Sequence, residues 1–221
     1  CNAFATVTAV EACRAQAGLP YVRLSPGYLY GNINGQRDDG SLLEDSLSWM
    51  LSKGTCLAST VPELAWKRSQ WPARAAKEAE DYLVLEAYLC PNFDAAASAI
   101  QQGFFVIEGL MWADGDNPDR DSWLPSRASG NTGGHALCGC GLEKRNGEWG
   151  IVTRNSWSEG WGKAGNCVIP ESRFNGVIGG MWAVRSVKQS ASDFPVTPKL
   201  SSLKVNPARV RDAEFVFALA P

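Results

Sequence analysis

The pattern of apolar and polar residues changes along the chain at about residue 103. The opening stretch is alanine-rich and lacks glycine and proline, and Ala3, Val7 and Val10 form an apolar stripe at helical spacing. This pattern predicts a helix that begins essentially at residue 1. We expect Gly18 to end it, because glycine readily adopts the left-handed conformation found at helix C-termini.

Two further helices of the first half are predicted from their capping residues. Ser25 precedes Pro26, which is typical of an N-cap followed by the first helical position. Ser41 stands three residues before Glu44, and this spacing predicts a capping box at the start of a helix. We expect that helix to end at Gly54.

The second half of the chain is dominated by predicted strands. Between Trp71 and Cys90 the pattern is ambiguous, with a helical first half and a possible strand over 82–89. Asn92 then predicts a capped helix that stops at Gly103. Runs rich in β-branched, aromatic and other apolar residues follow and predict four strands: 104–111, 135–139, 149–155 and 181–187.

This segregation of helices from strands indicates an α+β fold with two lobes. We expect a helical N-terminal lobe and an antiparallel β C-terminal lobe, with the substrate site in the cleft between them. The long polar loop over 114–134 is typical of a functional surface loop. We interpret 1–188 as one domain and 189–221, where Ser, Pro, Val and Lys predominate, as a C-terminal extension or linker.

Composition excludes several classes of partner. The chain has 221 residues, a formal net charge of -2 and no long run of like charge. We therefore expect no nucleic-acid partner. The longest apolar runs, such as 103–113, are interrupted or too short to span a bilayer, so no membrane partner is expected either.

Seven cysteines and a single histidine limit the chemistry that the chain offers. The odd number leaves at least one thiol unpaired within the chain, and the other six allow three disulfides or six reduced thiols. Cys138 and Cys140 would share a face if their segment is a strand. The other ligands of a zinc site are missing at any usual spacing, so we expect neither a metal nor another cofactor.

Three residues could together form a nucleophilic site. A thiol at a helix N-terminus is favoured as thiolate, and Cys1 begins the first predicted helix. An imidazole must take its proton, and His135 is the only histidine. Asn155, twenty residues later on the next predicted strand, could hold the ring in the required orientation.

The motifs around these residues occur in the order and at the spacing of a known family. Cys-Asn-Ala-Phe-Ala at 1–5, Gly-Gly-His-Ala at 133–136 and Asn-Ser-Trp-Ser-Glu-Gly-Trp-Gly at 155–162 resemble the three catalytic segments of the papain-like (C1-type) cysteine peptidases. Leu-Ser-Pro-Gly-Tyr-Leu-Tyr at 24–30 resembles the bacterial and phage-type branch. The resemblance runs from residue 1 to about 187.

The resemblance implies a Cys1–His135–Asn155 triad, with Trp157 packed over Asn155 to shield its bond to the histidine from water. The two glycines before the histidine, including Gly134, would allow a substrate backbone to approach closely.

The resemblance also implies where a peptide substrate would bind. Gly40 and Ser41 would bind the substrate backbone just before the scissile bond. Leu42 and Ala136 would line the pocket for the second side chain, which an apolar lining would make selective for apolar residues.

Three departures from the family pattern matter. The family has an upstream segment with a glutamine that donates to the oxyanion, and this sequence begins at the cysteine. We expect a separate N-terminal fragment or a larger assembly to supply it, since losing one such donor costs about 3 kcal/mol of transition-state stabilisation. Asn2 replaces the usual tryptophan, and Ser158 replaces a common glycine.

The resemblance therefore predicts a cysteine-type endopeptidase that acts on peptides or proteins through a thioester acyl-enzyme. Two alternatives stay open at this point. The chain could be an N-terminal-nucleophile hydrolase in which the Cys1 amine is the base. It could also be a catalytically impaired papain fold that serves as a binding or structural module in a larger assembly.

Overall fold

The computed structural model describes residues 1–185 and 187 of the chain. These residues divide into two compact units, of which the first comprises Cys1–Tyr88 and resumes at Val184, and the second comprises Leu89–Ala183. The extension or linker predicted for 189–221 lies outside the described residues, and its boundary stays a prediction.

The first unit is helical, as the sequence predicts. Its core includes the buried side chains of Tyr28, Cys56 and Val61, against which Trp71 packs. The helices of this unit are α1 (Asn2–Gln16), α2 (Pro26–Ile33), α3 (Leu43–Ser52), a 3-10 turn (Arg68–Gln70) and α4 (Ala75–Ala79).

Helix boundaries in this unit follow the predicted caps with one exception. Cys1 is the N-cap of α1, and the Ser25 hydroxyl accepts a hydrogen bond from the Tyr28 N–H at 3.0 Å at the start of α2. The capping box predicted at Ser41 is wrong, because Leu42 is the N-cap of α3 and makes no side-chain cap hydrogen bond. The Ser41 hydroxyl is instead bound by the side chain of Asn2.

A six-stranded sheet dominates the second unit. Its strands are β1 (Ala87–Cys90), β2 (Phe105–Ala113), β3 (Thr132–Arg145), β4 (Glu148–Arg154), β5 (Asn166–Pro170) and β6 (Val177–Val184). The spatial order is β1-β6-β2-β3-β4-β5, and the pairs from β2 to β5 are antiparallel. The α+β architecture is thus confirmed, whereas a substrate site between the lobes stays a prediction.

Helix α5 (Phe93–Gln101) packs against β2 and β3. The predicted cap is confirmed, because the Asn92 carboxamide oxygen accepts from the Ala95 N–H at 2.8 Å. Gly103, with a φ of 83°, follows the helix end as predicted. Strand β5 was not predicted, since its five residues directly follow a glycine-rich turn and offer little periodicity.

None of the seven cysteines forms a disulfide in the structure, and all seven lie among the described residues. The prediction that Cys138 and Cys140 share a face is wrong, because Cys138 is buried and Cys140 is exposed. A register shift between Gly139 and Gly141 interrupts β3 at this point. Such an irregularity breaks the alternation of side chains on which the prediction depended.

Two further observations concern the described residues only. None of the helices there has the length and hydrophobicity that crossing a bilayer requires. No group of three or more His, Cys, Asp or Glu side chains is arranged there to bind a metal ion.

A buried ion pair fixes the end of β2 and the long loop that follows it. Arg173 donates to both carboxylate oxygens of Asp116, at 3.0 and 2.6 Å, and to the backbone oxygen of Met111 at 3.0 Å. The Asp116 carboxylate also accepts from the Ala113 N–H at 2.8 Å. Both charged side chains are almost inaccessible to solvent, at 4% and 0% exposure.

We expect Arg173→Met to lower the free energy of unfolding by about 3 kcal/mol, because the buried Asp116 carboxylate loses its charged partner. Chemical denaturation at neutral pH measures the effect. Arg120→Met is the matched control, since that side chain is 94% exposed and its ion pair is long at 3.8 Å. Exposed ion pairs contribute about 1 kcal/mol or less. Equal stability of the two variants would contradict the structural role of the buried pair.

Candidate active site

The second unit brings His135 and Asn155 together. His135 lies on β3 opposite Leu110, and Asn155 directly follows β4, the neighbouring antiparallel strand. The ring Nε2 of His135 is 3.0 Å from the side-chain oxygen of Asn155, and both residues are buried. The contact predicted from the hairpin spacing is therefore present.

The orientation of the Asn155 carboxamide determines the tautomer of His135. The Ser156 N–H donates to the same Asn155 side-chain oxygen at 2.7 Å, and a backbone N–H can only donate. The atom facing His135 is therefore the carboxamide oxygen, so the ring Nε2 must carry the proton. The neutral imidazole then has its lone pair on Nδ1, which is the nitrogen able to act as a base.

Two tryptophans contact the imidazole, and a third packs against both of them. Trp157 stacks on the His135 ring with centroids 4.9 Å apart and an interplanar angle of 27°. Trp112 meets the His135 ring edge-on at 5.1 Å and Trp157 at 5.5 Å. Trp161 meets Trp157 at 5.4 Å. The family resemblance implied that Trp157 packs over Asn155, whereas in the structure Trp157 stacks on the histidine ring.

Trp112 was missed at the sequence level. It lies on β2 and pairs in register with Gly133 of β3, two positions before the histidine. A glycine has no side chain that could compete for the space beside the indole. Once β2 and β3 are aligned, the Trp112–Gly133 pair is a signal that could have identified this contact.

Burial lowers the pKa of His135 below its ordinary value, and the hydrogen bond to Asn155 acts in the opposite direction. Desolvation disfavours the charged imidazolium. When no thiolate is beside it, the His135 imidazole is therefore neutral at neutral pH and able to accept a proton.

The turn after Asn155 depends on unusual backbone conformations. The Asn155 N–H donates to the Gly165 oxygen at 2.9 Å, and Gly165 has a φ of 80°. Residues other than glycine rarely adopt this φ, and a Cβ at Gly165 would also lie 3.0 Å from the Ser158 backbone oxygen, so the position favours glycine. Ser158 has a φ of 99°, a conformation that glycine adopts with much less strain.

The first unit holds Cys1 and the predicted substrate-binding segment 40–42. Cys1 is exposed, its thiol is free, and its backbone oxygen accepts the first hydrogen bond of α1, from the Ala5 N–H at 2.9 Å. The first turn of α1 contains no acidic residue. A thiolate at this position would therefore face the positive end of the helix without a competing carboxylate in that turn.

The remaining predicted substrate-binding residues lie in both units. Gly40 has a φ of 95°. The Leu42 side chain is 65% exposed, so it is accessible to a ligand. Gly134 is exposed and Ala136 is buried, one on each side of His135 along β3. Leu42 thus belongs to the first unit and Ala136 to the second, and their contribution to one pocket stays a prediction.

No protein-family model matches the chain, and no curated protein matches it by sequence. Solved structures do match. Xylellain, a cysteine protease from Xylella fastidiosa, superimposes with a TM-score of 0.70 at 20% identity, over 85% of this chain and 80% of xylellain. The bromelain protease from Ananas comosus gives a TM-score of 0.57 at 19% identity, over 83% of this chain and 87% of bromelain.

A clostridial cysteine protease, solved after propeptide cleavage, gives a TM-score of 0.67 at 18% identity. The match covers 87% of this chain and 53% of the clostridial chain, so this chain spans about half of that protein's length. The prediction of a bacterial and phage-type branch stays a prediction. The three structures share one architecture with the present chain, which therefore has the papain-like fold.

Proposed function

We propose that the protein is a cysteine peptidase with Cys1 as nucleophile, His135 as general base and acid, and Asn155 as the residue that orients the histidine. The observation that carries this proposal is the hydrogen bond from the His135 Nε2–H to an Asn155 oxygen whose identity is fixed by the Ser156 N–H. This arrangement keeps Nδ1 available for proton transfer. The xylellain and bromelain structures, both of cysteine proteases, support the same reaction class.

The proposed reaction is acyl transfer from a peptide to the thiol. His135 Nδ1 takes the proton of Cys1, and the thiolate sulfur attacks the carbonyl carbon of the scissile peptide bond. The tetrahedral intermediate collapses as the imidazolium protonates the leaving amine, which leaves a thioester on Cys1. His135 then takes a proton from water, the hydroxide attacks the thioester, and the thiol and a carboxylic acid are released.

The proposed binding groups follow the family pattern residue by residue. The backbone at Gly40 and Ser41 would bind the substrate backbone, and Gly134 would let it approach the histidine. Leu42 and Ala136 would contact an apolar side chain two positions before the scissile bond. An upstream fragment or an assembly partner that contributes an oxyanion donor stays a prediction.

A peptidyl epoxide with an apolar residue at that position tests the proposal. We expect the epoxide to modify Cys1, identified by peptide mapping, at least about 100-fold faster than it modifies glutathione, because the substrate-like part positions the electrophile. Cys140, the other exposed thiol, is the internal control and should not react faster than glutathione. Labelling of Cys1 at the glutathione rate, or no faster than Cys140, would overturn the proposal.

A further inference from the structure

The residue after the proposed nucleophile is linked by side-chain hydrogen bonds to the proposed substrate-binding segment. The Asn2 carboxamide nitrogen donates to the Ser41 hydroxyl at 3.0 Å and to the Leu42 backbone oxygen at 2.7 Å. The carboxamide oxygen lies 2.9 Å from the Ser46 hydroxyl. Asn2 is only 4% exposed, so these bonds compete little with water.

The orientation of the Asn2 carboxamide is determined by its partners. A backbone carbonyl oxygen can only accept, so the Asn2 atom that faces the Leu42 oxygen must be the nitrogen. Both N–H groups of the carboxamide are then used, one on each of two consecutive residues of the segment. The flipped carboxamide would place its oxygen against the Leu42 oxygen, and two acceptors cannot form a hydrogen bond.

The segment 40–42 has weaker connections elsewhere among the described residues. The Gly40 N–H donates to the exposed Tyr30 hydroxyl at 3.2 Å, and the Ser46 N–H donates to the Leu42 oxygen at 3.4 Å. Helix α3, which follows the segment, has no side-chain cap. A Cβ added at Gly40 would meet nothing within 4 Å, so no close packing fixes the backbone there.

We infer that Asn2 is a positioning residue that sets the distance between the Cys1 thiol and the backbone of segment 40–42. The inference rests on the proposed function, in which that segment binds the substrate just before the scissile bond. Asn2 follows Cys1 directly, so the two donated bonds connect the nucleophile to the substrate-binding backbone through a single residue. A displacement of about 1 Å between reacting groups can lower a rate about 100-fold.

Two reagents for the Cys1 thiol separate positioning from other effects. Iodoacetamide is too small to engage segment 40–42 and measures the reactivity of the thiol alone. The peptidyl epoxide must also bind the segment. We expect Asn2→Ala to lower the rate of epoxide modification about 10- to 100-fold, while the iodoacetamide rate and its pH profile change by less than about twofold.

Two further variants refine the test. Ser41→Ala removes one of the two acceptors and should lower the epoxide rate about 3- to 10-fold. In the double variant Asn2→Ala/Ser41→Ala the loss should be no larger than in Asn2→Ala alone, because the Ser41 hydroxyl acts through its bond from Asn2, which Asn2→Ala has already removed. Asn32→Ala is the matched control, since its carboxamide nitrogen donates to a backbone oxygen in the same unit, that of Tyr28, at 2.9 Å; it should leave both rates unchanged.

The possible outcomes are distinct. Equal losses with both reagents in Asn2→Ala, or no loss with either, would overturn the positioning role. Should Asn2→Ala fail to fold, as judged by circular dichroism, Ser41→Ala decides by the same criterion. If wild-type Cys1 reacts with the epoxide no faster than glutathione, the proposed function fails and this inference fails with it, and that result is visible before any variant is made.

Discussion

His135→Ala is expected to lower kcat/KM for peptide hydrolysis by about 10⁴-fold or more, the largest effect that the account predicts. In the proposed mechanism the imidazole both removes the proton of the Cys1 thiol and returns a proton to the leaving amine. Because the chain contains a single histidine, no other imidazole can replace it. Steady-state kinetics with a fluorogenic peptide measures the loss, after circular dichroism has shown that the variant is folded.

A comparison with Asn155→Ala separates the two roles in the pair. Asn155 makes one hydrogen bond at 3.0 Å to the ring and in the proposed mechanism takes no part in bond making, so we expect a smaller loss of about 10- to 100-fold. Retained activity in His135→Ala would instead favour an N-terminal-nucleophile hydrolase, in which the α-amine of Cys1 is the base. Inactivity of the wild-type protein would favour the binding or structural module.

Glu108→Gln is expected to abolish a steep loss of stability with rising pH in the second unit. Glu108 lies on β2 with no exposed surface, and its closest polar partner among the described residues is the Thr153 hydroxyl at 3.2 Å. Its other carboxyl oxygen has no hydrogen-bond partner there. Burial raises the pKa of Glu108 from 4.5 to about 8, so the folded protein holds the carboxyl in its neutral form at neutral pH.

The direction of the effect follows from the two protonation equilibria. The pKa of Glu108 is higher in the folded than in the unfolded chain. The free energy of unfolding that depends on the neutral Glu108 carboxyl is therefore fully present below pH 4.5 and is lost as the pH rises through about 8. Each pKa unit corresponds to about 1.4 kcal/mol, and the rise from 4.5 to about 8 therefore corresponds to about 4–5 kcal/mol. Glutamine resembles the neutral acid in shape and does not titrate.

Denaturation at a series of pH values measures this prediction. Glu108→Gln should match the wild type near pH 4 and exceed its free energy of unfolding by several kcal/mol near pH 9. Glu159→Gln, at an exposed position of the same unit, is the control and should follow the wild type throughout. A constant difference between Glu108→Gln and the wild type across the range would show that Glu108 is ionised in the folded protein.

Local sequence signals predicted the helices well. The caps at Ser25 and Asn92 act within three residues of themselves, and the structure contains both bonds. The same reasoning fails at Ser41, where the local pattern is a good capping box. There a buried donor 39 residues away, Asn2, binds the hydroxyl, and a contact of that separation leaves no trace in a short sequence window.

One contact of the candidate site was predictable from the sequence, and the details of its geometry were not. A single histidine and an asparagine twenty residues later indicated the His135–Asn155 contact, which is present. The tautomer depends on where the Ser156 N–H points, and the contact of Trp112 depends on its register with Gly133. Both are consequences of how strands pair, which residue types and spacing do not specify.

The central claim, that Cys1 and His135 share a proton, is tested most directly by the ultraviolet absorbance of the Cys1 thiolate as a function of pH. The difference spectrum between wild type and Cys1→Ser isolates this thiol, and burial raises the pKa of Cys13 and Cys56 to about 12, so neither contributes at neutral pH. We predict thiolate absorbance at about pH 6, well below the ordinary range of a thiol, and its disappearance at that pH in His135→Ala. A signal that appears only above about pH 8 in the wild type, and is unchanged in His135→Ala, would contradict the account.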